Sequence, residues 1–153
     1  QDFEFLPAPF DGMFIALNLT WTDGDSTFKF EDNQSFTTPF RKLSDKQENF
    51  SIGYDKGKFD IRLAMNSRGE YLDWLADEES DIDKVSVQNS RFVAPHEQWD
   101  LKASYEINDN FRLKFEITNI EDRPEYYYWG YNDRLSQYDE YGTSYAIGFT
   151  YNN

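Results

Sequence analysis

At 153 residues and 18.2 kDa the chain is long enough for one domain with a sizeable core and too short for two. Fifteen Lys and Arg against twenty-nine Asp and Glu leave a net charge of -14, which excludes a nucleic-acid partner, since gripping phosphates takes a cationic face and no basic cluster is present. Aromatic residues at 19% exclude a disordered chain, and the absence of cysteine excludes disulfides, thiolate metal sites and a cysteine nucleophile.

The chain starts at Gln1, without an initiator Met or a signal peptide, and reads as a processed or truncated product. A strand remnant is expected at Asp2 to Leu6, followed by a Pro- and Gly-bearing reversal from Pro7 to Gly12. From Met13 to Asp23, Met13, Ile15, Leu17, Leu19 and Trp21 alternate with Phe14, Ala16, Asn18, Thr20 and Thr22, which predicts a strand. The alternation returns at Asn49 to Tyr54, Phe59 to Asn66, Trp99 to Tyr105, Phe111 to Thr118 and Ser144 to Tyr151, giving about seven strands. Asp55 to Lys58 and Asn108 to Asn110 carry the Gly, Asn and Asp of tight hairpin turns. The remaining connections, Gly24 to Lys46, Leu75 to Glu97 and Glu121 to Glu140, are about twenty residues each and read as long functional loops.

Short turns at one end and long loops at the other fit an antiparallel barrel standing in a membrane, where the apolar side meets lipid and the polar side lines a wet lumen. The mean hydropathy of -0.84 is compatible with this, because a membrane strand needs apolar residues only at alternate positions. Tyr54, Phe59, Tyr105 and Phe111 fall on the apolar side near the short turns, with Trp21 and Trp99 toward the other end, as an interfacial aromatic girdle requires. Asn18, Asp60, Arg62, Arg68, Lys102, Arg112, Lys114 and Glu116 fall on the polar side and are the expected lumen residues. The same alternation also fits a water-soluble β-sandwich.

The stretches "FLPAPFDGMFIALNLTWTD" and "WDLKASYEINDNFRLKFEITNIEDRPEYYYWGYNDRLSQYDEYGTSYAIGFTY" resemble the last strands of TonB-dependent outer-membrane receptors. The resemblance rests on Trp99 and Asp100 opening a strand, Asn108 and Asp109 in the turn, and Asn119 and Ile120 closing the next strand. It continues in Gln137, Tyr138, Asp139, Glu140, Tyr141 and Gly142 before the final strand, and in Leu6, Pro7, Asp11 and Gly12 at the first turn. It implies an all-β, antiparallel up-and-down transmembrane barrel of 22 strands with an N-terminal plug. Residues 1–153 then form a C-terminal portion of that barrel, because this length holds only about a third of it and about seven strands leave two open edges. The family ends on an aromatic residue, whereas here Asn152 and Asn153 follow Tyr151.

The implied role is TonB-dependent uptake of a scarce solute, an iron-siderophore, cobalamin or an oligosaccharide, across a bacterial outer membrane. The implied partners are the rest of the barrel and its plug, TonB through an N-terminal part absent from this chain, outer-membrane lipid and lipopolysaccharide, and the solute itself. From the residues, the cluster Tyr126, Tyr127, Tyr128, Trp129 and Tyr131 with Asp133 and Arg134, and more weakly Trp74 with Tyr71, is the candidate for stacking on a ligand in the loops. The acidic run Asp77, Glu78, Glu79, Asp81 and Asp83 supplies oxygens that calcium prefers, but without EF-hand spacing, and reads as solvated loop. The lone His96 reads as a loop-edge residue rather than a metal ligand. No catalytic constellation or phosphate-binding glycine loop is present, so neither an enzyme nor a cofactor is expected. The alternatives are a secreted carbohydrate-binding β-sandwich and a receptor fragment built into a larger assembly by strand pairing.

Overall fold

Strict alternation is satisfied by pairing strands so that each parity gathers on one face, and six long strands of the chain do this. The computed structural model describes residues 3, 5–29, 35–76 and 86–152. Its strands are β1 (Met13–Trp21), β2 (Asp25–Lys29), β3 (Ser35–Pro39), β4 (Lys46–Lys56), β5 (Phe59–Arg68) and β6 (Tyr71–Trp74), followed by β7 (Arg91–Val93), β8 (His96–Asn108), β9 (Phe111–Thr118), β10 (Glu125–Trp129), β11 (Leu135–Asp139) and β12 (Ser144–Tyr151). Pairing is antiparallel throughout, and the described residues contain no α-helix, only single 3₁₀ turns at Phe10–Gly12 and Val87–Asn89. The fold is therefore all-β.

Six long strands make one sheet in the order β1-β4-β5-β8-β9-β12. Lys56 pairs with Phe59 across Gly57 and Lys58, where Gly57 takes the left-handed φ of +64° that such a turn demands. Asn108 pairs with Phe111 across Asp109 and Asn110, and the Asn108 side chain accepts the Asn110 amide at 3.0 Å. Both tight turns lie where the sequence places them. Of the expected first strand, Asp2 and Glu4 lie outside the described residues; Phe3, Phe5 and Leu6 belong to no strand, and Phe3 N donates to Met13 O at 3.0 Å.

The three long connections are not irregular loops. Where described, the first contains the β2–β3 hairpin, the second β7 and the third β10 and β11; these last three form a second sheet with β6, which precedes the second connection, in the order β11-β10-β7-β6. That order repeats β12-β9-β8-β5, so four of the long strands run on past short breaks into the small sheet. These pieces escape a period-two reading because they are only three to five residues long and because "EYYYW" in β10 is a continuous aromatic run. Their β-branched and aromatic composition is the signal that marks them as strands.

Register sorts the large sheet cleanly. One face carries the rows Ile15, Ile52, Leu63, Leu101, Ile117, Tyr145 and Met13, Tyr54, Ile61, Ala103, Phe115, Ile147, with Phe59, Tyr105, Leu113 and Phe149 below them. Nothing among the described residues covers this face: Leu17 is 62% exposed, Phe149 71% and Ile147 80%. Its upper limit is marked by Glu48 and Glu97, the latter accepting the Trp99 indole N–H at 3.1 Å, and its lower limit by Phe59 and Tyr105, whose rings sit 4.8 Å apart. The hydrophobic core lies elsewhere, around Leu72 and Leu75 at the small-sheet end, packed by Phe28 and Phe36 of the β2–β3 hairpin and by Phe92.

Asn119 fixes the corner where β9 leaves the large sheet. It is buried at φ +57°, its side-chain oxygen accepts the Arg123 amide at 2.8 Å, and its side-chain nitrogen donates to the Arg123 carbonyl at 3.1 Å. Its own amide donates to the Asp100 carboxylate at 3.0 Å and its carbonyl accepts the Thr143 hydroxyl at 2.8 Å. Asn119→Ala should cost about 2 to 4 kcal/mol, combining left-handed strain with buried backbone groups left unpaired. Asn119→Gly should cost less because the strain is absent, and denaturant titration of Trp fluorescence will compare the two.

Candidate ligand-binding site

The face opposite the apolar one is a polar wall. Asn18, Asp60, Arg62, Arg68, Lys102, Arg112, Lys114 and Glu116 all lie on it, as the strand parity in the register requires. Their charges are matched in place: Lys102 meets Glu116 at 3.6 Å, Arg112 is bonded to Glu106, and Arg62 lies 5.0 Å over the Phe14 ring. Phe14 in turn lies across Gly53, where a Cβ would collide with that ring and with the Ile61 carbonyl, so only glycine fits beneath it.

The aromatic cluster of the last long connection divides between packing and surface. Tyr128 is 5% exposed, stacks on Phe92 at 5.6 Å and donates its hydroxyl to Glu70, so it belongs to the core and offers no free ring. Tyr126 donates to the Asn132 carbonyl at 2.8 Å, and Trp129 packs edge-on to Trp74 at 5.8 Å. Tyr127 carries Arg91 at 5.4 Å from its ring and donates to Glu125 at 2.9 Å; burial and this bond push its phenol up to about 12, which keeps it a donor. Tyr131 and Trp74 remain exposed, as do Asp133 and Arg134, and Arg134 ties the β10–β11 turn to the Gln88 carbonyl at 3.0 Å. The eight candidates therefore do not converge on one pocket.

A different group does. A hollow of about 400 Å³ opens on the polar wall near the break between the sheets, lined by Gln47, Asn49, Asn66, Arg68, His96 and Gln98. A smaller one of about 180 Å³ adjoins it through the shared His96 and Gln98 and reaches Glu125 and the exposed ring of Tyr141. Register places Asn18, Asn49, Asn66 and Gln98 directly across from one another on β1, β4, β5 and β8. Of the hollow's residues, sequence reasoning singled out only Arg68 and His96. The available signal was that the polar positions of β4 and β5 carry Asn49 and Asn66, each seven residues from the end of the tight turn they share.

Arg68 joins the two sheets. Its guanidinium bonds Glu125 at 2.9 Å and the Ala94 carbonyl at 3.3 Å, and lies 5.0 Å over the Tyr71 ring. His96 stands opposite it in the register, half-buried at the edge of the 94–95 break as the first residue of β8. The acidic run from Asp77 to Asp83 lies outside the described residues, and among the described residues no three His, Asp or Glu side chains gather closely enough to hold a metal. Comparison with protein-family models, with curated proteins and with solved structures finds no match for this chain.

Burial raises the Glu125 carboxyl, but hydrogen bonds from Arg68 and Tyr127 and the charges of Arg68 and His96 outweigh it, and the net direction is down from 4.5. A depressed carboxylate contributes stability above its unfolded value and loses it as pH falls through the folded one, so the junction should hold down to about pH 5 and loosen below 4.5. Glu125→Gln should shrink the fall in melting temperature between about pH 5 and about pH 3. Thermal melts of both proteins across that range provide the measurement.

Proposed function

We propose that this chain is a stretch of wall from a transmembrane β-barrel in a bacterial outer membrane, the C-terminal part of a TonB-dependent receptor that imports a scarce solute. One observation carries the reading: an apolar face six strands wide lies bare while the core of the same chain is built at its far end. A soluble sandwich would cover such a face with a second layer, and none of the described residues supplies one. Hydrocarbon is the natural cover for it.

Three further features support the same environment. The six strands are 9, 11, 10, 13, 8 and 8 residues long, close to the roughly 9 to 11 that cross a bilayer when tilted. The bare face is bounded by aromatic side chains at both ends, as an interfacial girdle is. β1 and β12 are open edges, which a barrel would close with strands from the rest of the receptor. In this arrangement the tight turns face the periplasm, the small sheet and the β2–β3 hairpin stand outside the cell among lipopolysaccharide, and the polar wall lines the lumen. The solute enters from the outer side, and energy arrives through a plug and a TonB contact carried by other parts of the receptor. The family resemblance supplies the transport role.

Placing Arg at Leu101, in the middle row of the apolar face, should cost about 2 to 4 kcal/mol in lipid, whereas Arg at the neighbouring Lys102 should be nearly neutral. Denaturant unfolding of both variants in lipid vesicles measures the difference. Equal costs at the two positions would remove the basis for the orientation, as would a chain that stays monomeric and folded in detergent-free buffer.

A further inference from the structure

The hollow on the polar wall has a chemistry of its own. Asn18, Asn49, Asn66 and Gln98 form a row that crosses four strands, and at a strand spacing of about 4.8 Å it runs about 14 Å. The next row toward the tight turns is Ala16, Ser51, Ala64 and Asp100, of which the first three are small side chains that leave open space beside the amides. The result is a trough with an amide rail along one side and Arg62, lying over the Phe14 ring, on the other.

Each carboxamide offers two donors and an acceptor at fixed geometry, and a carbohydrate hydroxyl offers one donor and two acceptor lone pairs. A rail of amides therefore satisfies neighbouring hydroxyls in both directions without placing any net charge. The charged groups at its end are already engaged: Arg68 by Glu125 at 2.9 Å, and Asp100 by Gln98 at 2.8 Å and by the Asn119 amide at 3.0 Å. An anionic chelate would find Arg62 already lying 5.0 Å over the Phe14 ring and Arg68 held by Glu125, and would meet a chain of charge -14. The exposed Tyr141 ring beside the adjoining hollow adds a flat surface for the apolar face of a sugar.

We propose that this trough binds a neutral oligosaccharide, with Asn49, Asn66 and Gln98 reading its hydroxyls. The assignment deepens the importer reading and rests on it only in taking the polar wall to be wet.

The test is calorimetric titration of the full chain in detergent micelles with maltotetraose, cellotetraose and xylotetraose, and with ferric citrate as the anionic probe. A neutral oligosaccharide should bind saturably, Asn49→Ala and Asn66→Ala should each weaken it about tenfold, and Asp109→Asn in the distant turn should leave it unchanged. Asn66→Asp, nearly isosteric, guards against a folding defect: it should weaken binding while circular dichroism shows unaltered strand content. Binding that ignores the Asn49 and Asn66 substitutions would overturn the proposal, as would binding of ferric citrate alone or of none of the four probes. Flotation with lipid vesicles separates the two readings. A chain that inserts but binds no oligosaccharide keeps the barrel and loses this site, while one that binds sugar in detergent-free buffer keeps the site and loses the barrel.

Discussion

Register is the constraint on which everything else in this chain depends. Because side chains alternate with a period of two, a slip of one residue at any of the five pairings in the large sheet would mix the apolar and polar faces. The chain guards against that slip with local devices at several of these pairings: the left-handed Gly57 in one tight turn, the Asn108 side chain closing the other, and Phe14 seated over Gly53. Asn119 does the same at the far end of β9, where its side chain binds the backbone of its own corner and its carbonyl accepts the Thr143 hydroxyl of the neighbouring connection.

With register held, two surfaces of opposite character follow from one sequence pattern. The apolar one is continuous and unprotected, which in water would be a liability to aggregation and in lipid is a requirement. The polar one pairs its charges across adjacent strands, and its amides align into a row that no single strand announces. The small sheet sits past the end of both and is stabilised in the ordinary way, by burying Leu72, Leu75 and Val93.

The large sheet was legible from the sequence because ten-residue alternation is a strong, redundant signal: Met13 to Trp21 and Phe111 to Thr118 each repeat it several times. The turns were legible because Gly57 and the Asn-Asp-Asn stretch at 108–110 have few other conformational uses. The outer strands were not, since β7 has three residues and β6 four, too few to establish any period, and their pairing partners are brought together only by the long strands. The aromatic cluster was visible but its division was not. Tyr127 and Tyr128 are adjacent in sequence and point to opposite sides of β10, one toward Arg91 and the other toward Phe92. The hollow on the polar wall was invisible for a related reason, because its amides come from different strands and meet only through register.

The displaced core has a consequence for how the molecule loses its structure. Leu72 and Leu75 are shielded from solvent by protein alone, whereas the staves below them rely on whatever surrounds their bare side. Stripping away amphiphile would then melt the staves first and leave the outer cap as the last cooperative unit, so amide exchange should resolve two tiers of protection in one chain. The amide row stands on the staves, so it would be lost with them while the outer cap still held.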